Sequence, residues 1–231
     1  MKKFYKEVAV EQIEVGYAIT LDGKTIKTPA GSLLAVPNRV LADLIASEWN
    51  MIEDGGDIIP KAMEYMQLAS TAIDKVIPNM IEVSHNVVGY AMNDLLCYRC
   101  GDNPELRMIE DKAWNKWTKW AKEVAGMDMQ IADGIVPVNQ TPAVKANAMI
   151  HLAEFDGFKL TVMADLTAIY GSYVLGLAVM REEISIMKAY EISRTDELYQ
   201  IEKWGVDSEA EKSANDIKES LKKTEKFLKV L

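Results

Sequence analysis

A chain of 231 residues, 49% of them hydrophobic, can bury the core of one large domain or two small ones. Its 35 acidic residues against 26 basic ones leave a net charge of −9, with no dense Lys/Arg cluster outside the C-terminal tail, which argues against nucleic acid as a partner. Two cysteines exclude a disulfide framework and fit a reducing compartment, and the start MKKFYKEVAVEQ resembles neither a signal peptide nor a transit peptide, so the expected location is the bacterial cytoplasm.

The first 36 residues read as strands. Residues 16–21 and 24–27 flank Asp22-Gly23, a strong two-residue hairpin signal, and Pro29-Ala30-Gly31-Ser32 turns into residues 33–36. The pattern predicts an antiparallel sheet too small to stand alone. Pro37-Asn38 opens a helix with Asn38 as N-cap, a stripe of Leu41, Ile45, Trp49 and Ile52, and an end at Gly55-Gly56. Residues 61–77 carry Met63, Met66, Ala69 and Ile73 at helical spacing. Pro78 is expected to stop that helix and Asn79 to cap the next, which runs through Val83 and Val87 towards Asn93. Residues 94–99 fit either helix or strand.

Asn103-Pro104 sets an N-cap before a proline at the first helical position. The helix that follows is expected to carry Leu106, Ala113, Trp117, Trp120 and Val124 inward and to end at Gly126. Residues 129–138 read as loop with room for one strand, and residues 143–153 as a short helix. Residues 160–180 form the longest nearly uncharged run, long enough to span a bilayer. Asp165, Thr161, Thr167 and Ser172 interrupt it, however, and no basic cluster flanks it. Ala164, Ala168, Ser172 and Gly176, each four residues apart, predict a flat ridge for close helix packing, so the run is expected to be one buried helix rather than a membrane segment. A helix over 186–204 should end at Gly205. Residues 207–231 read as a polar helix with a narrow stripe at Ala210, Ala214, Ile217, Leu221, Leu228 and Leu231. The fold class is α+β: a small N-terminal antiparallel β-rich domain with the first helix, residues 1–56, followed by a larger helical domain, residues 57–231.

Chemistry-bearing motifs are sparse. Cys97-Tyr98-Arg99-Cys100 is a CxxC, but zinc needs four ligands and only His85 and His151 remain to help. A thioredoxin-like site would place the pair at a helix start within a βαβ unit, which the pattern lacks, so two partly buried thiols are expected. No GxSxG, HExxH, P-loop or GxGxxG occurs. Glu182-Glu183 reads as solvated charge near a helix start. Trp114, Trp117 and Trp120 offer either core or a binding surface, with core favoured for the last two. Thirteen methionines suit either an adaptable surface or core filling. These features point to a binder rather than an enzyme, with no cofactor and no metal.

Read in order, several stretches resemble the assembly chaperones for the catalytic head of ATP synthase, the branch that holds the free alpha subunit. They are Lys27-Thr28-Pro29-Ala30-Gly31, Glu48-Trp49, the run from Leu68 to Val76, and Asp94-Leu95-Leu96-Cys97-Tyr98-Arg99. Trp114 with Trp120-Ala121, Gly134-Ile135 with Pro137-Val138, and Asp165-Leu166-Thr167 with Gly171-Ser172 follow. The series closes on Asp196-Glu197, Tyr199-Gln200 and Trp204-Gly205. The sequence departs from the pattern at Ala164, where a histidine is common, and at Leu198, where a further acidic residue is.

The resemblance implies a non-catalytic, monomeric holder that covers the alpha subunit's assembly surface until beta displaces it. Large exposed apolar patches aggregate, and displacement by a better-fitting subunit needs no ATP hydrolysis. It implies Glu197 first as a partner-binding residue, expected to point outward, with an intrahelical ion pair to Arg194 as its ordinary alternative. Gln200 and Trp204 match the same block, although Trp204 is expected to fold back onto the body. Asp94 and Arg99 match as charges that either pair with each other or meet the partner, and Trp49 is expected in the core. The competing readings are a general client-binding module for other oligomers and a CxxC redox enzyme.

Overall fold

The computed structural model describes residues 1–134 and 136–231. Contacts divide the chain into two compact units. One comprises Met1–Met80 with Gly157–Thr161 and Lys222–Leu231, the other Ile81–Asp156 with Val162–Leu221.

In the first unit β1 (Val8–Ile13) pairs antiparallel with β2 (Gly16–Leu21), Val10 opposite Ile19. β2 also pairs with β3 (Lys24–Thr25) and β4 (Ala35–Val36). Asp22 (φ 48°) and Gly23 (φ 74°) both take the left-handed conformation that a tight two-residue hairpin turn requires. Asp22 is held there by the N–H groups of Lys6 and Glu7, at 3.0 and 2.9 Å. As expected of so small a sheet, it is covered: α1 (Arg39–Asn50) packs on β1 and β2, burying Leu41, Ile45 and Trp49. Asn38 caps α1 by accepting the Leu41 N–H at 2.9 Å.

Pro78 does not stop the second helical run. α2 (Glu64–Thr71) continues into a π-turn over Ala72–Val76, in which the Ile77 N–H reaches back five residues to the Ala72 carbonyl. A 3₁₀ turn over Ile77–Asn79 then leads into α3 (Met80–Met92). The widened turn carries the backbone past a ring that lacks an N–H and would clash in a regular helix. Asn79 is correspondingly not an N-cap, since its side-chain amide donates to the Lys75 carbonyl at 2.9 Å.

The second unit holds a 3₁₀ turn at Leu95–Cys97, β5 (Tyr98–Arg99), α4 (Pro104–Glu123) and β6 (Ala132–Asp133), which pairs in parallel with β5. α5 (Pro142–Leu152) and α6 (Gly157–Tyr170) follow, the first turn of α6 lying with the first unit. The run 160–180 is not one helix. It breaks at Gly171 (φ 63°), and α7 (Tyr173–Met180) restarts under its N-cap Ser172, whose hydroxyl accepts the Leu175 N–H at 3.1 Å. A left-handed glycine followed by a serine in the β region is a helix end followed by a helix start. The expected ridge dissolves with it: Ser172 and Gly176 are buried, Ala164 is half-buried and Ala168 is exposed. Only Gly176 retains the close-packing role, since a Cβ there would lie 2.8 Å from Thr167 Oγ1.

The expected helix 186–204 is likewise two, α8 (Ile186–Ser193) and α9 (Thr195–Trp204), separated at Arg194 (φ −100°, ψ 18°). The hydroxyls of Ser193 and Thr195 bond the carbonyls of Tyr190 and Ile192, each at 2.8 Å, and so compete with a continuous ladder. On α4, Val124 is exposed rather than inward. α10 (Ser208–Leu228) exposes Ala210, half-buries Ala214 and Ile217, and buries Leu221, Thr224 and Phe227, so its apolar contact deepens towards its C-terminal end.

Candidate partner-binding surface

α9 has two faces of opposite use. Its inner face is tied to α4, the two helices running antiparallel. Tyr199 Oη donates to Glu105 and accepts from Asn103 Nδ2, both at 3.0 Å, and Lys203 Nζ lies 2.9 Å from Glu105. Asp196 meets Glu110, which is 2% exposed and also accepts the Cys100 N–H at 2.7 Å. Burial pushes both carboxyls up, Glu110 to about 7; Asp196 raises Glu110 further, whereas the hydrogen bond from Glu110 and the Arg99 guanidinium pull Asp196 back down. Asp196 Oδ1 is buried without a hydrogen-bond partner among the described residues.

The outer face carries what remains of the block. Glu197 is half-exposed, with its carboxylate 3.7 Å from Arg194 Nη1, and Gln200 is exposed. Both the outward direction and the ordinary ion pair expected of Glu197 are therefore present together. Trp204 does not fold back onto the body: it is 78% exposed. Gly205 (φ 88°) ends α9 beside it. Leu198 and Val206, both more than half exposed, extend the apolar part of this face.

Asp94 and Arg99 are not surface charges, and they do not pair with each other. Asp94 is fully buried and joins segments remote in sequence, accepting the N–H of Leu96 and of Val174, both at 3.0 Å. It thus serves the 3₁₀ turn and the start of α7 at once. Burial raises its pKa to about 6, against the pull of those hydrogen bonds. Arg99, 1% exposed, bonds Asp111 and Asn115 at 3.2 Å and the Leu96 carbonyl, and lies 4.9 Å from the Trp114 ring. Trp114 in turn donates to the Ile192 carbonyl at 2.9 Å. A motif carries no label for its position. These charges match the series because the helical unit is assembled on them, and burial removes them from any surface that a partner reaches.

The motifs of the first unit interlock in the same way. Asp74, from the 68–76 run, accepts from Thr28 Oγ1 at 2.6 Å and from the Ala30 N–H at 3.1 Å, joining two matched stretches. Glu48 accepts the N–H groups of Tyr65 and Met66 at 2.8 and 3.0 Å, capping α2, and Trp49 is in the core as expected. In the pair 134–135, Ile135 lies outside the described residues.

Glu110 was legible but unread: it lies four residues beyond Leu106 and three before Ala113, on the inward stripe of α4. The exposure of Val206, beyond the glycine that ends α9, had no such periodic signal. Cys97 and Cys100 are free thiols, and burial pushes the Cys97 thiol well up, away from a reactive thiolate. Among the described residues no group of three or more His, Cys, Asp and Glu is placed to hold a metal ion, and no helix is long and apolar enough to cross a membrane.

The family model described as ATP12 chaperone protein matches residues 2–122, a little over half of the chain. A crystal structure of Atp12 from Paracoccus denitrificans superposes with a TM-score of 0.92 at 34% identity, covering 98% of this chain and 97% of that one. A point mutant of the same Paracoccus protein gives a TM-score of 0.93 at 33% identity over 98% of this chain and 96% of its own. Among curated proteins, the mitochondrial protein atp12 of Schizosaccharomyces pombe is 23% identical over 95% of this chain and 79% of its own length.

Proposed function

The chain belongs to the ATP12 chaperone family, and from that premise we propose that it binds the free alpha subunit of ATP synthase and keeps it competent for assembly until beta arrives. The matching family is described as a chaperone, and the chain is a chaperone in ATP synthase assembly rather than an enzyme. The observation that supports an external client site is the split of α9. One face is used up in contacts to α4, while Glu197, with its ion pair to Arg194, and the exposed Gln200 and Trp204 lie on the other. An exposed tryptophan beside a carboxylate and an amide suits a contact with an apolar centre and a polar rim. Beta displaces the chaperone by binding the same area of alpha more favourably, a process driven by differential affinity alone. The protein acts as a monomer in the bacterial cytoplasm, with no cofactor.

Mixing the purified protein with free alpha subunit and following the mixture by gel filtration tests this reading. A co-eluting complex and suppressed aggregation of alpha are expected. No complex and undiminished aggregation would sink it.

A further inference from the structure

A second surface of the helical unit is unused by the contacts described above. α4 and the segment from Glu183 to Ile192 enclose an open groove of about 540 Å³. Its floor is apolar, built from Ile109, Trp117, Ile184 and Ile192, while Lys112, Lys116 and Lys188 stand at its rim against the single carboxylate of Glu183.

We propose that this groove is a docking site for an acidic, apolar-anchored segment of the client, in which a large apolar side chain seats among Ile109, Ile184 and Ile192, above the buried Trp117, and flanking carboxylates meet the lysines. The inference rests on the chaperone reading for its client, and on the groove's own chemistry for the class of segment. In a chain carrying nine more acidic than basic residues, the ammonium groups of Lys112 and Lys116 against the one lining carboxylate, Glu183, are a local inversion of sign. Both ammonium groups lack a carboxylate partner among the described residues. Lys112 forms no ion pair, and Lys116 stands 4.8 Å from the Trp117 ring instead. Lys188 is held by Glu191 at 2.6 Å. The groove is also preformed, since the Trp114–Ile192 hydrogen bond fixes α4 to α8 and Trp117 is braced edge-on against Trp120 at 6.4 Å. Rigid aromatic ground with cations at its edge loses little freedom on binding, and complementary charge raises the encounter rate. A second copy of this chain is a poorer occupant, because two bodies of charge −9 repel.

The test uses the full chain with two fluorescent peptides, one pairing Glu with Leu and Phe and one with Lys in place of Glu, read by anisotropy. The free alpha subunit is titrated in parallel. The acidic peptide should bind at least about tenfold more tightly than the basic one, and should lose about tenfold in the Lys112→Glu/Lys116→Glu variant and in high salt. That variant should keep its circular dichroism spectrum, because both side chains are exposed. Failure of the acidic peptide to bind, or equal binding to the variant, overturns the groove even if alpha forms a complex. Peptide binding without an alpha complex leaves the groove standing and removes the client proposed above. A dimer of the wild-type chain in sedimentation that the variant abolishes assigns the groove to a second copy and overturns the proposal.

Discussion

Asp94 Oδ2 accepts the backbone N–H of Val174 at 3.0 Å, while its other oxygen accepts that of Leu96. One buried carboxylate thus caps the starts of two short helical pieces, bonding a residue 80 positions along the chain from it. Replacing Asp94 by Ala strands two buried donors at once and is expected to cost about 2–4 kcal/mol. Urea denaturation reads the loss directly. Client binding measured well below the new midpoint should be unchanged, because the side chain reaches no surface.

Glu197→Lys separates the two readings of that residue. The ion pair to Arg194 is partly exposed and contributes no more than about 0.5 kcal/mol, so stability should be near that of the wild type. If Glu197 faces the client, affinity for alpha falls by at least about tenfold, as for reversal of a charge within an interface. A melting temperature that drops in step with affinity assigns Glu197 to the fold instead.

Trp204→Ala should leave stability within about 0.5 kcal/mol, as for an exposed residue remote from the core. A buried aromatic anchor in an interface costs about 2 kcal/mol or more when truncated, roughly thirtyfold in affinity, so calorimetric titration with alpha distinguishes an anchor from a bystander.

Gly176→Ala places a methyl 2.8 Å from Thr167 Oγ1 and 3.3 Å from the Met163 thioether. Overpacking of this kind costs about 1–3 kcal/mol, or several degrees of melting temperature in a chain of this size. A melting temperature equal to that of the wild type would mean that α6 and α7 separate without cost.

Stability should fall from pH 5 to pH 8. The Glu110 pKa is raised from the ordinary 4.5 to about 7, chiefly by burial. Below 4.5 folded and unfolded chains both hold the proton and the contribution is whole. As pH rises through 7 the unfolded chain has already released it, and the contribution is lost. Asp94 acts in the same sense between 3.8 and about 6. Asp74 and Glu105 are depressed, so their losses fall at lower pH, outside this window. Glu110→Gln should flatten the slope in urea titrations between pH 5 and 8. An unaltered slope would show that Glu110 does not hold its proton above the ordinary carboxylate range.

The elements whose signals are local were legible. Asp22-Gly23 dictates its hairpin, and Asn38 and Asn103-Pro104 mark their helix starts, because turn and cap chemistry is complete within a few residues. The breaks at Gly171 and Arg194 were not, although Gly171-Ser172 carries the residues of a stop and a start. Apolar content ran unbroken through the first, and its decisive partner, Asp94, lies far away in the chain. Pro78 misled for the opposite reason: a strong local stop was absorbed by a π-turn that no spacing rule announces. At the candidate surface, the polar neighbours of Glu197 one turn back, Ser193 and Arg194, indicated that it points outward. Sequence had no means to tell that Asp94 and Arg99, equally charged and equally matched, are consumed in the interior.

The sheet-bearing unit is closed by chain made long after its strands. Residues 222–231 belong to it, Phe227 is fully buried, Val230 accepts the Asn38 amide at 2.7 Å, and Glu64 meets Lys223 and Lys226. During synthesis the hairpin and α1 emerge roughly 190 residues ahead of this contact, at rates of about 5–20 residues per second. The N-terminal part of the chain therefore waits on the order of ten seconds or more, with an incomplete core, before it can close. A holder of other proteins' unfinished surfaces must, for that interval, keep its own from aggregating.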